Sequence, residues 1–87
     1  FADRAYDVAF ASNDQVNAIS VFMIDRTTGT VTHRGDIPTG RIEPYGICSG
    51  REGGIDFAGV TYKDGTVEVW SVSASPESLT GTLVKTV

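Results

Sequence analysis

Few residues in this chain have obvious chemical use. His33 is its one histidine and Cys48 its one cysteine. With no second histidine at metal-ligand spacing, His33 reads as a strand-end side chain. Cys48 has no intrachain disulfide partner. In the run Tyr45-Gly46-Ile47-Cys48 it reads as a small buried hydrophobe. The serines lack a nucleophile-elbow pattern. Asp3, Asp7 and Asp25 are too scattered for a calcium loop, and no EF-hand pattern is present. Tyr45 stands between Pro44 and Gly46, and Lys63 and Asp64 stand before Gly65. They offer a phenol, an ammonium and a carboxylate. Alone, Asp-Gly beside a lysine is ordinary hairpin chemistry. A tyrosine after proline is an ordinary rim or core aromatic with a hydrogen-bonded hydroxyl. Arg34 and Arg41 add positive charge to the middle of the chain.

Composition narrows the possible partners. The 87 residues carry a net charge of −4, and 21% are charged. This acidity argues against a nucleic-acid footprint. No stretch reaches the roughly 18 apolar residues of a membrane-spanning helix, so no membrane partner is expected. No signal-peptide pattern is visible in these residues. An acidic protein that binds phosphate must place its few cations carefully or recruit metal ions.

The elements that would position these residues are strands. Glycine, threonine and valine recur, and no apolar 3.6-residue period persists. Strands are expected over Tyr6 to Ser12, Ile19 to Ile24, Thr30 to Arg34, Tyr45 to Cys48, Ile55 to Tyr62, Thr66 to Val72 and Thr82 to Val87. Ile19 to Ile24 is apolar on both faces, as in a strand covered on both sides. Gly35 to Pro44 reads as irregular, Ser49 to Gly54 as a turn and Ser73 to Ser78 as a loop. Lys63-Asp64-Gly65 is the strongest hairpin signal.

The pieces repeat. Val8-Ala9-Phe10-Ala11-Ser12 matches Phe57-Ala58-Gly59-Val60-Thr61, 49 residues on. Ile19-Ser20-Val21-Phe22-Met23-Ile24 matches Val67-Glu68-Val69-Trp70-Ser71-Val72 at an offset of 48. Thr28-Gly29-Thr30-Val31 matches Thr80-Gly81-Thr82-Leu83 at 52. A period near 50 with about four strands per unit is the signature of β-propeller blades. The expected fold is all-β: antiparallel four-stranded blades, about 1.7 of them, in an incomplete propeller. Residues 1–44 would form the first blade portion and 45–87 the second. Trp70 is expected to anchor packing between blades.

In combination these residues resemble the β-propeller phytases. The likeness rests on Ala11-Ser12-Asn13, Asn17-Ala18-Ile19, Asp36-Ile37-Pro38-Thr39-Gly40 and Glu43-Pro44-Tyr45-Gly46-Ile47-Cys48. It extends through Lys63-Asp64-Gly65-Thr66-Val67-Glu68-Val69-Trp70 and Gly81-Thr82-Leu83-Val84-Lys85-Thr86-Val87. The resemblance implies a six-bladed propeller that releases phosphate from myo-inositol hexakisphosphate. Calcium is the implied cofactor: it offsets phosphate charge and activates water. Tyr45 and Lys63 stand at phosphate-binding positions, and Asp64 at a catalytic acidic position on the substrate-facing turn. No metal ligand is assigned in this chain; the main calcium-bridging carboxylates are expected on other blades. Where the family has an arginine after Ser-Asn, this chain has Ser12-Asn13-Asp14. The resemblance also implies a secreted or periplasmic location. The partners expected are phytate or another phosphate ester, and either the remaining blades or further copies of this chain. The isolated chain is expected to be inactive. The alternative is a non-catalytic propeller repeat that binds or scaffolds.

Overall fold

The computed structural model describes residues 6–41 and 43–87. Among these, every regular element is a strand, in two antiparallel sheets. The first sheet has the order β1-β2-β3, with β1 Tyr6–Asn13, β2 Ala18–Asp25 and β3 Val31–Pro38. The second has the order β4-β5-β6-β7, with β4 Pro44–Glu52, β5 Ile55–Tyr62, β6 Val67–Ala74 and β7 Leu79–Thr86. The all-β expectation is met.

Local chemistry explains the turns. Asp25 caps the β2–β3 turn: its Oδ1 accepts from the Thr27 and Thr28 amides at 2.8 and 3.1 Å. The β5–β6 connection spans Lys63 to Thr66, and the Tyr62 amide donates to the Thr66 carbonyl at 2.9 Å. Gly65 donates to the Tyr62 carbonyl at 2.9 Å and alone within the loop takes a positive φ, of 89°. A turn closed by a left-handed glycine is one of the favoured hairpin solutions. Lys63 and Asp64 thus sit at its tip.

Several boundaries differ from the sequence reading. β6 runs on to Ala74 instead of ending at Val72, and β7 begins at Leu79 instead of Thr82, because Ser73 and Ala74 pair with Thr80 and Leu79. β3 runs on to Pro38, because Asp36 and Ile37 keep pairing with Ser20 and Ile19 despite Gly35. β4 runs from Pro44 to Glu52, because Ser49, Gly50, Arg51 and Glu52 keep pairing with Ala58, Phe57, Asp56 and Ile55. Cys48 is exposed, against the expectation of burial. Alternation on edge strand β4 sends Ile47 toward the core and Cys48 to the opposite face.

The strand registers repeat as the sequence does. Ala9 pairs with Phe22 in the first sheet and Ala58 with Trp70 in the second, at offsets of 49 and 48 residues. Both sheets also shift register at one equivalent point, between Val21 and Phe22 and between Val69 and Trp70. The third offset needs correction. Phe22 pairs with His33 and Trp70 with Leu83, so β3 and β7 are related by 50 residues, not 52. Thr28-Gly29 lies in a turn, whereas Thr80-Gly81 lies inside β7, so these two segments are not equivalent in the structure. Among the described residues β4 has no counterpart in the first sheet, which holds the three strands expected of the first portion.

The sheets pack on each other through a shared core. Ile19, Val21 and Ile37 of the first meet Ala58, Val60, Tyr62, Trp70 and Val72 of the second. Ile19, Val21 and Val60 are fully buried. β7 comes close to β3 at Gly81: a Cβ there would stand 2.7 Å from two carbons of Ile37. Trp70 lies in this core, between the sheets as expected.

Candidate functional site

Tyr45, Lys63 and Asp64 lie at one end of the second sheet. Tyr45 is the unpaired residue of a β-bulge: Pro44 pairs with Tyr62 and Gly46 with Thr61. A bulge re-aims the side chain it carries, and Tyr45 is 76% exposed. Lys63 and Asp64 follow Tyr62 directly, and the Lys63 amide donates to the Glu43 carbonyl at 3.2 Å. The three expected residues therefore share one rim, although none touches another through its side chain.

The connection between β3 and β4 brings further groups to this rim. Arg41 reaches across to the second sheet, with its Nη1 3.3 Å from Asp64 and its Nε 3.5 Å from Glu68. Its guanidinium sits 5.6 Å from the centre of the Tyr62 ring, within cation–π range. Glu43 pairs with Lys63 at 3.4 Å. Asn17, in the β1–β2 turn, joins the pieces. Its carbonyl accepts from the Thr39 hydroxyl at 3.0 Å, and its Oδ1 accepts from the Glu43 amide at 3.2 Å.

Backbone strain collects at the same place. Among the described non-glycine residues only Asn17 and Glu43 have positive φ, at 52° and 58°. Asparagine tolerates this region, but glutamate does not favour it, least of all before proline. Glu43 is held there by its amide bond to Asn17, its carbonyl bond from Lys63 and its side-chain pair with Lys63. Strain of this kind persists where surrounding contacts over-determine it, and functional sites are common places for it.

Beneath the rim lies a charged group that the sequence reading placed only on a strand face. Glu68 is 3% exposed. Its Oε1 accepts from the Tyr62 hydroxyl at 2.6 Å and from Trp70 Nε1 at 3.2 Å. Arg41 approaches the other oxygen. A carboxylate is tolerable at such depth only with partners of this kind. Burial, reinforced by the bond to Glu68, pushes the Tyr62 hydroxyl up to about 12. The sequence signal was a glutamate sharing a face with Trp70 and Val72; what it lacked was Arg41, 27 residues away.

The Asp64 carboxyl is held below its ordinary value, chiefly by the Thr66 backbone N–H and also by Arg41. It is a carboxylate at neutral pH. It can accept a hydrogen bond, face a cation or orient a water; it cannot serve as a general acid.

Other residues singled out in the sequence are not tied to Tyr45, Lys63 or Asp64. Asp14 stands exposed in the β1–β2 turn. Arg34 is tied to the Ser75 carbonyl at 2.6 Å, beyond the far end of β6. His33 lies within β3, 2.9 Å from Asp36 and against the Phe22 ring. Asp7 pairs with Arg26, Asp25 caps its turn, and Asp3 lies outside the described residues. Two shallow clefts, of about 260 and 240 Å³, lie at the opposite strand ends, around Arg51 and Asp56.

No group of three histidine, cysteine or acidic side chains among the described residues is arranged to hold a metal ion. Calcium, if bound, would need ligands beyond these residues, and no chemical step can be assigned to it from them. Comparison with protein families, curated proteins and solved structures gives no match for this chain.

Proposed function

We propose that the two sheets are consecutive blades of a β-propeller and that the Tyr45–Lys63–Asp64 rim is one wall of a phosphate-ester site. The parent activity would be that of a phytase-like, calcium-dependent phosphohydrolase acting on myo-inositol hexakisphosphate. The observation that carries this reading is the convergence of two separately placed segments, Tyr45 and Lys63-Asp64, on one rim. A bulge exposes Tyr45, and the β5–β6 hairpin tip presents Lys63 and Asp64 beside it. The repeated registers and the repeated bulge support the blade reading.

Each residue then has a role that its chemistry permits. The Lys63 ammonium and Tyr45 hydroxyl would hold phosphate oxygens. The Asp64 carboxylate would face the cations that accompany a polyanion. Lys63 would exchange its exposed Glu43 partner for phosphate at little cost, since such surface pairs contribute only about 0–1 kcal/mol. The chain alone would bind without turning over.

One observation favours a second reading, a non-catalytic binding or scaffolding repeat. Both cations at the rim, Arg41 and Lys63, already face carboxylates: Asp64, Glu68 and Glu43. Calorimetric titration of the chain with phytate in calcium separates the two. The phosphate reading expects binding that Lys63→Ala weakens at least fivefold, with no phosphate released. Absence of binding, or binding indifferent to Lys63→Ala and Tyr45→Phe, would leave the scaffold reading in its place. Release of phosphate at an enzyme-like rate would contradict the assignment of an inactive chain.

A further inference from the structure

The contact between the two sheets is heterologous: the face each contributes is different. The first sheet presents Val8, Phe10, Ile19 and Val21; the second presents Ala58, Val60, Trp70 and Val72. The repeat relates these faces to the two that remain outside. At an offset of 48 or 49 residues, Ala58, Val60, Trp70 and Val72 correspond to Ala9, Ala11, Phe22 and Ile24, on the outer face of the first sheet. Val8, Ile19 and Val21 correspond to Phe57, Val67 and Val69, on the outer face of the second. Each outer face is thus a second version of one half of the contact already formed. All seven of these outer residues are only half-buried.

We infer that a second copy of this chain docks head to tail, laying the outer face of its first sheet on the outer face of the second sheet. The occupant follows from continuity. What the second sheet's outer face lacks is a surface like Ala58-Val60-Trp70-Val72, and the same chain carries one. Aliphatic meets aromatic in the same places, with Phe22 for Trp70 and Val69 for Val21. The polar groups also permit burial. Where the inner contact buries Glu68, the outer face of the first sheet has Ser20. Its hydroxyl donates to Asp36 at 2.7 Å and accepts from Asn13 Nδ2 at 3.3 Å. Asp36 is further held by His33. The Ser20 hydroxyl is thus satisfied as donor and as acceptor and would not be stranded by docking. Such contacts close into a ring when the rotation allows it and otherwise run on as a filament. The inference rests on the repeated registers alone and does not use the phosphate reading.

The test is mass in solution by sedimentation or light scattering. The unmodified chain is expected to associate at micromolar concentration. Ala11→Glu blocks the outer face of the first sheet, and Val69→Glu that of the second. Each variant alone is expected to be monomeric, because each lacks one half of the contact. Mixed, they retain one intact pair of faces and are expected to give a heterodimer of twice the mass. Near-ultraviolet circular dichroism of Trp70 reports whether each variant folds. Where one does not, Ala9→Lys or Ser71→Arg addresses the same faces. A wild-type chain that stays monomeric overturns the inference. So does association of Ala11→Glu by itself at the wild-type level, which would indicate like-face or edge-strand pairing.

Discussion

Ser20 and Glu68 occupy the same place in the two sheets, 48 residues apart on equivalent central strands. Both are buried and polar, at 5% and 3% exposure. Their surroundings differ. Ser20 lies on the outer face of its sheet and joins a small network of Asn13, Asp36 and His33. Glu68 faces the other sheet, under Tyr62, Trp70 and Arg41. The contact between sheets thus permits a charged group where the outer face has a neutral one. It does so because the β3–β4 connection carries a counterion across to it. A repeat sets the position; the neighbour decides which polar group that position tolerates.

Substitution at the two positions should separate them most widely. Glu68→Ala leaves the Tyr62 and Trp70 donors buried without an acceptor and takes a carboxylate from Arg41. It should cost about 3 kcal/mol in urea unfolding. Ser20→Ala should cost about 1 kcal/mol. Equal losses would mean that the inter-sheet network has no special weight.

Val21 and Val69 form the apolar counterpart of this comparison, one inside the contact and one outside. Val21→Ala should cost about 2 kcal/mol, as a fully buried truncation. Val69→Ala should cost less than about 1 kcal/mol in dilute protein, and more as concentration rises if copies dock. Gly81→Ala should destabilise by about 1–2 kcal/mol, because the new methyl meets Ile37. Gly50→Ala, with nothing within 4 Å, serves as its control.

The smallest effects concern pH. Tyr62 has a raised value, so its contribution is fully present below the ordinary 10.0 and is lost as pH rises toward about 12. Glu68→Gln should bring the Tyr62 titration down, read by tyrosinate absorbance. In the first sheet the sign is opposite. The Ser20 hydroxyl, with His33, holds Asp36 below its ordinary 3.8. Its contribution is therefore present above that value and fades as pH falls below it. Ser20→Ala should flatten this acid limb and leave the alkaline one unchanged.

Much of the fold was legible in the sequence because strand alternation is local. Ile55 to Tyr62 was delimited at both ends, since turn residues flank it closely. The extension of β4 through Ser49, Gly50 and Arg51 was not legible: glycine-rich sequence reads as a turn unless its partner strand is known. The site divides the same way. The Asp-Gly turn chemistry put Lys63 and Asp64 at a hairpin tip; their role in a site came from the resemblance alone. The reach of Arg41 to Glu68 depends on how two sheets lie together, which no local pattern carries. The exposure of Cys48 follows from β4 being an edge strand, again a tertiary fact.

The two turns at the rim make the functional comparison sharpest. Asn13 and Asp14 lead into one, and Lys63 and Asp64 form the other at the equivalent place in the second sheet. Backbone amide shifts of the isotopically labelled chain, titrated with phytate in calcium, test the proposed site directly. The expected result is movement at Tyr45, at Lys63 to Thr66 and at Arg41, with the Asp14 turn still. Silence at Lys63 and Asp64, or equal movement in both turns, would contradict a phosphate site on the second sheet.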